Sequence, residues 1–400
     1  MDAKTVGNTI ASLRKKAGFT QAALAQKLNV SDKTVSKWES GQGFPEITQF
    51  PLLSKIFGVS VDYLMKGEAS GIAFCGNILA DIVKTVERYP QEGMLSYISS
   101  VSKAVGGSVP NCGIDLAKID RSIPVYAIGK VGDDEYGRFV LSRMQNQNID
   151  VSFVKTDRAA PTGFSDIMSS ASGERTIFYA SGANARFSPE DVDLQSLNCS
   201  ILHAAYILLL DTFDMQDNKY GTVMARFLHD VRERGIKTSI DVVSNNSADY
   251  AKMVKPALKY ATYAIMNEIE ICSTFGLESR KGDMPHIENI RLAMQNAAQC
   301  GVEEKVIVHC KEMGFCLDVK SGKITENKSL KIPSELIKGS VGAGDAFCTG
   351  CLYGIYNGFD DKTMLKFAAG AAACSLFAEN SVDGMCTKKE IEEIIKKYEV

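Results

Sequence analysis

Beyond about residue 70 the chain alternates short β-branched or apolar runs with amphipathic stretches, and this alternation restricts the fold more than any other feature. Pro124–Ile128, Ile201–Leu210, Lys237–Val243, Tyr263–Met266 and Lys305–His309 read as strands, while Lys219–Arg234, Ala248–Lys259 and Ile287–Cys300 read as helices. Parallel strands cannot be joined by a tight turn, so a helix between two strands implies a crossover and a largely parallel sheet covered on both faces. Thr387-Lys388-Lys389-Glu390 is a capping-box pattern opening a last amphipathic helix. In such sheets ligands bind beyond the carboxyl ends of the strands, which is where site residues are to be sought.

Four hundred residues exceed what one core usually organises, so two domains are expected. Apolar content of 45% and charged content of 23% are those of an ordinary globular protein. No apolar run is long enough for a membrane span, and Met1-Asp2-Ala3-Lys4 lacks the apolar segment of a signal peptide, so a cytoplasmic location is expected. Eleven scattered cysteines read as reduced, buried thiols rather than a disulfide framework. Cys348-Thr349-Gly350-Cys351 matches Cys-x-x-Cys, but no second pair accompanies it and it falls within a predicted helix, where small residues pack. The four histidines show no ligand spacing.

Charge is uneven. Residues 1–66 carry nine Lys or Arg against five acids, a net +4, whereas the remainder is net −7. A basic head on an acidic body points to a nucleic-acid partner for the head alone. Val6, Ile10 and Leu13 recur at helical spacing before Gly18; a second helix runs from Thr20 to Leu28; Ser31 caps a third, Asp32 to Glu39, closed by Ser40-Gly41. This is a helix-turn-helix pattern. Thr20–Ala25, Val30–Gly41 and Gly58–Leu64 resemble the xenobiotic-response-element family of phage-repressor-type DNA-binding domains, a likeness that covers residues 4–67. The resemblance implies a third helix in the major groove of double-stranded DNA, with Asp32, Lys33 and Lys37 toward base edges and Gln21, Thr34 and Ser36 toward phosphate. Val35 and Trp38 point the other way, into the core.

Gly67-Glu68-Ala69-Ser70 is a short hinge, at most about 14 Å long when extended. In the body, Ser340-Val341-Gly342-Ala343-Gly344-Asp345 carries the most chemistry. The small residues let successive backbone N–H groups approach an anion, and Ala346–Tyr356 reads as a helix whose positive end faces it. Asp345, at the turn between cradle and helix, is placed to take a proton from an attacking hydroxyl. Neither the P-loop nor the dinucleotide-binding glycine pattern is present. Elsewhere, Asn77 and Asp81 follow the first strand, and Gly106-Gly107-Ser108-Val109-Pro110-Asn111 opens a helix. Asp81 and Asn111 suit sugar hydroxyls, and Gly106-Gly107 let a ligand lie against backbone. Asn267 and Glu270, one helical turn apart after a strand, offer oxygen ligands to magnesium, acting through water.

Together these residues resemble the ribokinase-like (PfkB-type) carbohydrate kinases over residues 71–395. Gly129-Lys130-Val131-Gly132-Asp133-Asp134 and Gly137 extend the family's N-terminal signature; Pro161-Thr162-Gly163, Gly173–Thr176 and Gly182-Ala183-Asn184 match its substrate lid; Asn267 and Glu270 match Asn-x-x-Glu. The resemblance implies a Rossmann-type α/β/α sandwich with a small β lid in residues 71–400, preceded by an all-α helix-turn-helix domain in residues 1–67. It implies ATP and Mg2+, transfer of phosphate to a sugar hydroxyl, Asp345 as base, and charge stabilisation by the Gly342, Ala343 and Gly344 amides. Asn77, Asp81, Gly106, Gly107, Asn111 and Asn184 fall to the sugar, and Asn267, Lys311, Gly314, Gly342 and Gly344 to the nucleotide. Asn77, Phe164, Asp166, Phe178 and Asn184 are expected to select the sugar.

Two departures stand out. Gly339-Ser340 replaces the family's Asp-Thr, which removes a carboxylate from the monovalent-cation site and argues against potassium dependence; Lys311 replaces a glycine near the nucleotide. They motivate an alternative, a sugar-sensing repressor whose kinase-like body is inactive. A homodimer is expected, since such heads read two half-sites.

Overall fold

Side-chain caps punctuate the head: Asp2 caps a helix over Ala3–Lys16, Thr20 one over Gln21–Leu28 and Ser31 one over Asp32–Glu39. Left-handed residues at Gly18 (φ 70°), Asn29 (φ 54°) and Gly41 (φ 72°) end the three in turn. This computed structural model describes residues 2–399 apart from 58, 60, 67–69, 171–174 and 245–248. Helices over Gln49–Phe57 and Val61–Lys66 complete the head. Val6, Ile10, Leu24, Val35, Trp38, Leu53 and Leu64 form its core, so Val35 and Trp38 turn inward as their spacing requires. The chain divides into two compact units, residues 1–72 with 196–200, and residues 73–195 with 201–400.

The body is built on a nine-stranded sheet. In spatial order its strands are Ile324–Lys328, Met313–Asp318, Lys305–His309, Tyr263–Asn267, Lys237–Val242, Cys199–Ile207, Gly71–Cys75, Val125–Gly132 and Val154–Asp157. Pairings from Lys305–His309 through Tyr263–Asn267 and Lys237–Val242 to Cys199–Ile207 are parallel, as is that of Val125–Gly132 with Val154–Asp157. An antiparallel hairpin closes the other edge. Strand residues such as Ala264, Ile265, Val306 and Ile307 are fully buried, the run-on hydrophobicity of a sheet covered on both faces.

A second sheet of four strands carries Ile98–Gly106, Leu79–Val86, Gly163–Ser170 and Arg175–Ala180 in that order. It is the lid. Its first two strands, which carry Asp81 and Gly106, were not expected from sequence; Gly173 and Glu174 lie outside the described residues. Three elements also have boundaries other than expected. The helix expected from Lys219 starts at Val223, because Gln216–Asp217 and Gly221–Thr222 pair as a small hairpin and Thr222 takes the cap. The strand expected to reach Leu210 stops at Ile207, since Tyr206 (φ 62°) and Leu208 (φ 81°) adopt left-handed backbone. The helix expected over Ala248–Lys259 runs Tyr250–Leu258, with Ala248 outside the described residues.

Candidate active site

The helix carrying Asp345 begins at Ala343, three residues earlier than expected, and runs to Tyr356. Asp345 therefore sits inside the first turn rather than at a preceding turn. Gly342 is the N-cap in left-handed backbone (φ 80°), and no side chain caps the first turn. A Cβ at Gly342 would lie 2.7 Å from Ser381 O, so a side chain is excluded by both conformation and space. First-turn amides have no intrahelical acceptor, and here the helix dipole adds to them; this end is built to receive an anion.

Asp345 is 5% exposed, and three side chains from two elements converge on its carboxylate. Asn111 Nδ2, from the helix Ser108–Ile119, donates to Oδ2 at 2.8 Å. Tyr206 Oη donates to both carboxylate oxygens at 3.0 Å. Cys112 Sγ lies 3.7 Å from Oδ1 and from the Asp345 carbonyl. Burial raises the Asp345 pKa while these donors pull it back. The result is a carboxylate that keeps proton affinity yet is held in one orientation.

Asn111 was expected to bind sugar. Its oxygen accepts from Ser381 Oγ at 2.7 Å and its nitrogen donates to Asp345, so in this structure its polar atoms hold that carboxylate. Asn184 differs from expectation in the same way: its Oδ1 accepts from Ile78 N at 3.1 Å and its Nδ2 donates to Ile78 O at 3.0 Å, a clamp on backbone. Asn77 is fully buried, with Nδ2 donating weakly to Leu209 O at 3.4 Å and Oδ1 unpartnered. Asp81, on the lid strand Leu79–Val86, is close enough to Asp345 to feel its charge; burial above all lifts its pKa to about 7. Gly106 faces that carboxylate, for a Cβ there would stand 2.5 Å from Asp81 Cγ. Gly107 (φ 86°) presses on Asn77 O, where a Cβ would come within 2.5 Å.

Asn267 and Glu270 form a reciprocal capping box at the helix Glu268–Thr274, and Asn267 Nδ2 also donates to Glu270 Oε1 at 2.7 Å. Ser244 Oγ donates to the same oxygen at 2.9 Å. Burial raises Glu270 to about 7. Asp241, at the end of its strand, is raised by burial and then by Glu270 and Asp345. Such crowding of buried carboxylates is what a divalent cation relieves, so the donor set fits magnesium. Gly314 is buried against Phe347, whose ring a Cβ would approach to 2.9 Å; Lys311 is exposed in the turn before it.

Sequence reasoning missed Tyr206, Cys112, Asp241 and Ser381. Asp241 could have been found, because it ends a recognised strand and the carboxyl-end rule applies to it. Tyr206 carries no local signal, since its role depends on an unusual backbone conformation. In the head, Arg14 and Glu39 pair through Nε–Oε1 at 2.5 Å and Nη2–Oε2 at 2.9 Å, and Gln21, expected on phosphate, donates to Glu39 at 2.8 Å. Asp32, Lys33, Ser36 and Lys37 are exposed, and Thr34 is half-buried with its hydroxyl 2.8 Å from Ser31 Oγ.

The architecture is that of ribokinase. Arabidopsis thaliana ribokinase complexed with ribose and ATP superposes with a TM-score of 0.68 at 21% identity, covering 82% of this chain and 99% of that one. Thermotoga maritima ribokinase gives 0.67 at 20% identity, with coverage of 82% and 99%. The pfkB family carbohydrate kinase model matches residues 69–388, and a helix-turn-helix model matches residues 10–64. The chain belongs to the pfkB family of carbohydrate kinases. It is an ATP-dependent carbohydrate kinase with an N-terminal helix-turn-helix domain. Among its relatives are the 5-dehydro-2-deoxygluconokinases of Bacillus licheniformis, 24% identical over 329 residues (81% of this chain, 95% of the relative), and Listeria innocua, 25% identical over 336 residues (80% and 94%). The inactive-sensor alternative is not favoured by these matches. No helix among the described residues is long and apolar enough to cross a membrane.

Proposed function

We propose that this kinase phosphorylates a hydroxyl of a keto-deoxy sugar acid of the 5-dehydro-2-deoxygluconate type. The observation that carries the catalytic reading is the carboxylate of Asp345, fixed by Asn111 and Tyr206 in the first turn of a helix whose start no side chain caps. The substrate class is suggested by the relatives' names. Asp345 takes the hydroxyl proton as that oxygen bonds to the γ-phosphorus, and the bond to ADP breaks. Amides of Gly342, Ala343 and Gly344 hold the transferred group's charge. Asp81 and the unpartnered Asn77 Oδ1 accept sugar hydroxyls beside Gly106-Gly107, while Asn111 and Asn184 act as positioning residues.

Asn267 and Glu270, with Asp241 beside them, would hold magnesium through water, and Lys311 and Gly314 would border the nucleotide. Bound magnesium neutralises phosphate charge. No carboxylate can be added at 339 without moving backbone, because a Cβ there would stand 2.9 Å from Ala378 O. Turnover should accordingly be equal in potassium, sodium and choline salts; strong potassium activation would refute this.

The head, residues 1–67, binds double-stranded DNA through Asp32, Lys33 and Lys37, with Thr34 and Ser36 alongside. Two half-sites call for two copies. The lid supplies an apolar surface for the pairing, with Tyr97, Ile98, Val101, Ile177 and Phe178 exposed on or beside its two outer strands. The substrate assignment is tested by coupled ADP-release assays with 5-dehydro-2-deoxygluconate, ribose, fructose and nucleosides. The sugar acid should have the highest kcat/KM; preference for a neutral sugar would overturn the assignment without touching the kinase class.

A further inference from the structure

Beside Asp345 three donors meet that phosphoryl transfer does not need. Cys112 comes from the helix Ser108–Ile119, His203 from the strand Cys199–Ile207 and Cys348 from the helix Ala343–Tyr356; one ligand atom of each lies within 4.8 Å of the others. All three side chains are at most 1% exposed. The Cys-x-x-Cys partner Cys351 has no part in the group, in keeping with its reading as a packing residue.

The imidazole is held as a ligand is held. His203 Nδ1 lies 2.9 Å from Ser239 Oγ, which leaves Nε2 free for a ligand; Cys348 Sγ stands beside the ring, 3.6 Å from Nε2 and 4.0 Å from Nδ1. An outer-shell partner on the second ring nitrogen is the usual device for fixing a metal-binding histidine. Around a tetrahedral zinc ion, bonds of roughly 2.3 Å to sulfur and 2.0 Å to nitrogen set the S···N edge at about 3.6 Å. The Sγ–Nε2 separation has that length, and a turn of the Cys348 side chain away from Nδ1 would bring the sulfur onto the Nε2 lone-pair side. Cys112 is the joint to catalysis, since its sulfur stands 3.7 Å from Asp345 Oδ1.

We propose that Cys112, His203 and Cys348 bind a thiophilic divalent cation of the zinc class, and that the bound ion slows the kinase through Cys112. Binding releases two protons, one from each thiol, and forms two metal–sulfur bonds and one metal–nitrogen bond to neutral imidazole. Cys112 then has no S–H to offer Asp345, and a metal-bound sulfur stands against the carboxylate that must accept the substrate proton. Entry is from the cleft past Asp345 or during folding. The inhibitory half rests on Asp345 being the base; the binding half does not.

The test uses the full reduced chain, stripped of metal, with Zn2+ or Co2+ as probe. Wild type should retain one zinc per chain after desalting, and Co2+ should give a sulfur-to-cobalt charge-transfer band in the near ultraviolet. Cys348→Ala and His203→Gln should abolish both, and Ser239→Ala should weaken zinc binding about tenfold. With magnesium in excess, zinc should slow wild-type turnover, a zinc-selective chelator should restore it, and Cys348→Ala should turn over at the metal-free rate with or without zinc. Circular dichroism melts establish that each variant is folded. No retained zinc, or zinc retention undiminished in the folded variants, would overturn the site. Retained zinc with unchanged turnover would overturn the coupling. Absence of turnover in metal-free protein is a separate failure, of the kinase reading, and leaves the metal readouts valid.

Discussion

Asp345 and Asp81 are near enough to feel each other's charge but are stabilised differently. Asp345 has Asn111, Tyr206 and Cys112 to offset its burial, whereas Asp81 has only Ser165, and the like charge of Asp345 adds to the effect of burial. Because the folded pKa of Asp81, about 7, exceeds the ordinary carboxylate value of 3.8, the native state binds more protons than the unfolded state between those limits. Folding stability from this group is then full below about pH 4 and is lost as pH rises toward 7, by an amount on the order of 4 kcal/mol. Asp81→Asn should therefore raise Tm at pH 8 while weakening sugar binding, a stability–function exchange. Thermal melts at pH 5 and pH 8 check it: an equal effect at the two pH values would show that burial does not act on this carboxyl as described. Asp81 was legible from sequence because it sits just after a strand, near the glycines that open the next helix. The part played by Asn111 was not, since a sequence shows the amide but not that Ser381 and Asp345 claim both its ends.

The two glycines of the cradle look equivalent in sequence and are not in the helix they begin. Gly342 needs both its positive φ and its missing side chain, because Ser381 occupies the Cβ position. At Gly344 a Cβ would meet His309 Cε1 at 3.5 Å, an ordinary contact, and the residue is already helical. Gly342→Ala should thus destabilise by about 1–3 kcal/mol and remove turnover. Gly344→Ala should leave stability within about 1 kcal/mol of wild type, with any loss of rate arising from a methyl group beside the anion. Chemical denaturation of both variants distinguishes the roles; equal destabilisation would contradict them. The alternation of strands and helices was readable because burial on both faces leaves continuous apolar runs. Boundaries such as Val223 and Ile207 were not, because a two-residue hairpin and left-handed Tyr206 override the local pattern. The lid strand Ile98–Gly106 was hidden for the opposite reason: six of its nine residues are exposed, so it lacks the apolar run that marks a strand.

A basic helix-turn-helix head and an acidic kinase body were separable from charge and motif alone, since each carries its own signature within contiguous sequence. Pairing of copies belongs to this scale, and so does DNA binding. Sedimentation should give a dimer, reduced to monomer by Val101→Asp with Phe178→Asp on the lid; a wild-type monomer with and without operator would refute it. Lys37→Ala should cost about 1–3 kcal/mol of operator affinity in gel shifts with the fold unchanged, and unaltered affinity would remove this helix from the interface. The central claim concerns what the body does with a sugar and ATP, and it depends on one carboxylate. Steady-state phosphorylation of 5-dehydro-2-deoxygluconate with magnesium and ATP should fall about a thousandfold in kcat on Asp345→Asn, with the sugar KM within a few-fold. Turnover by the Asp345→Asn protein at the wild-type rate would contradict the account.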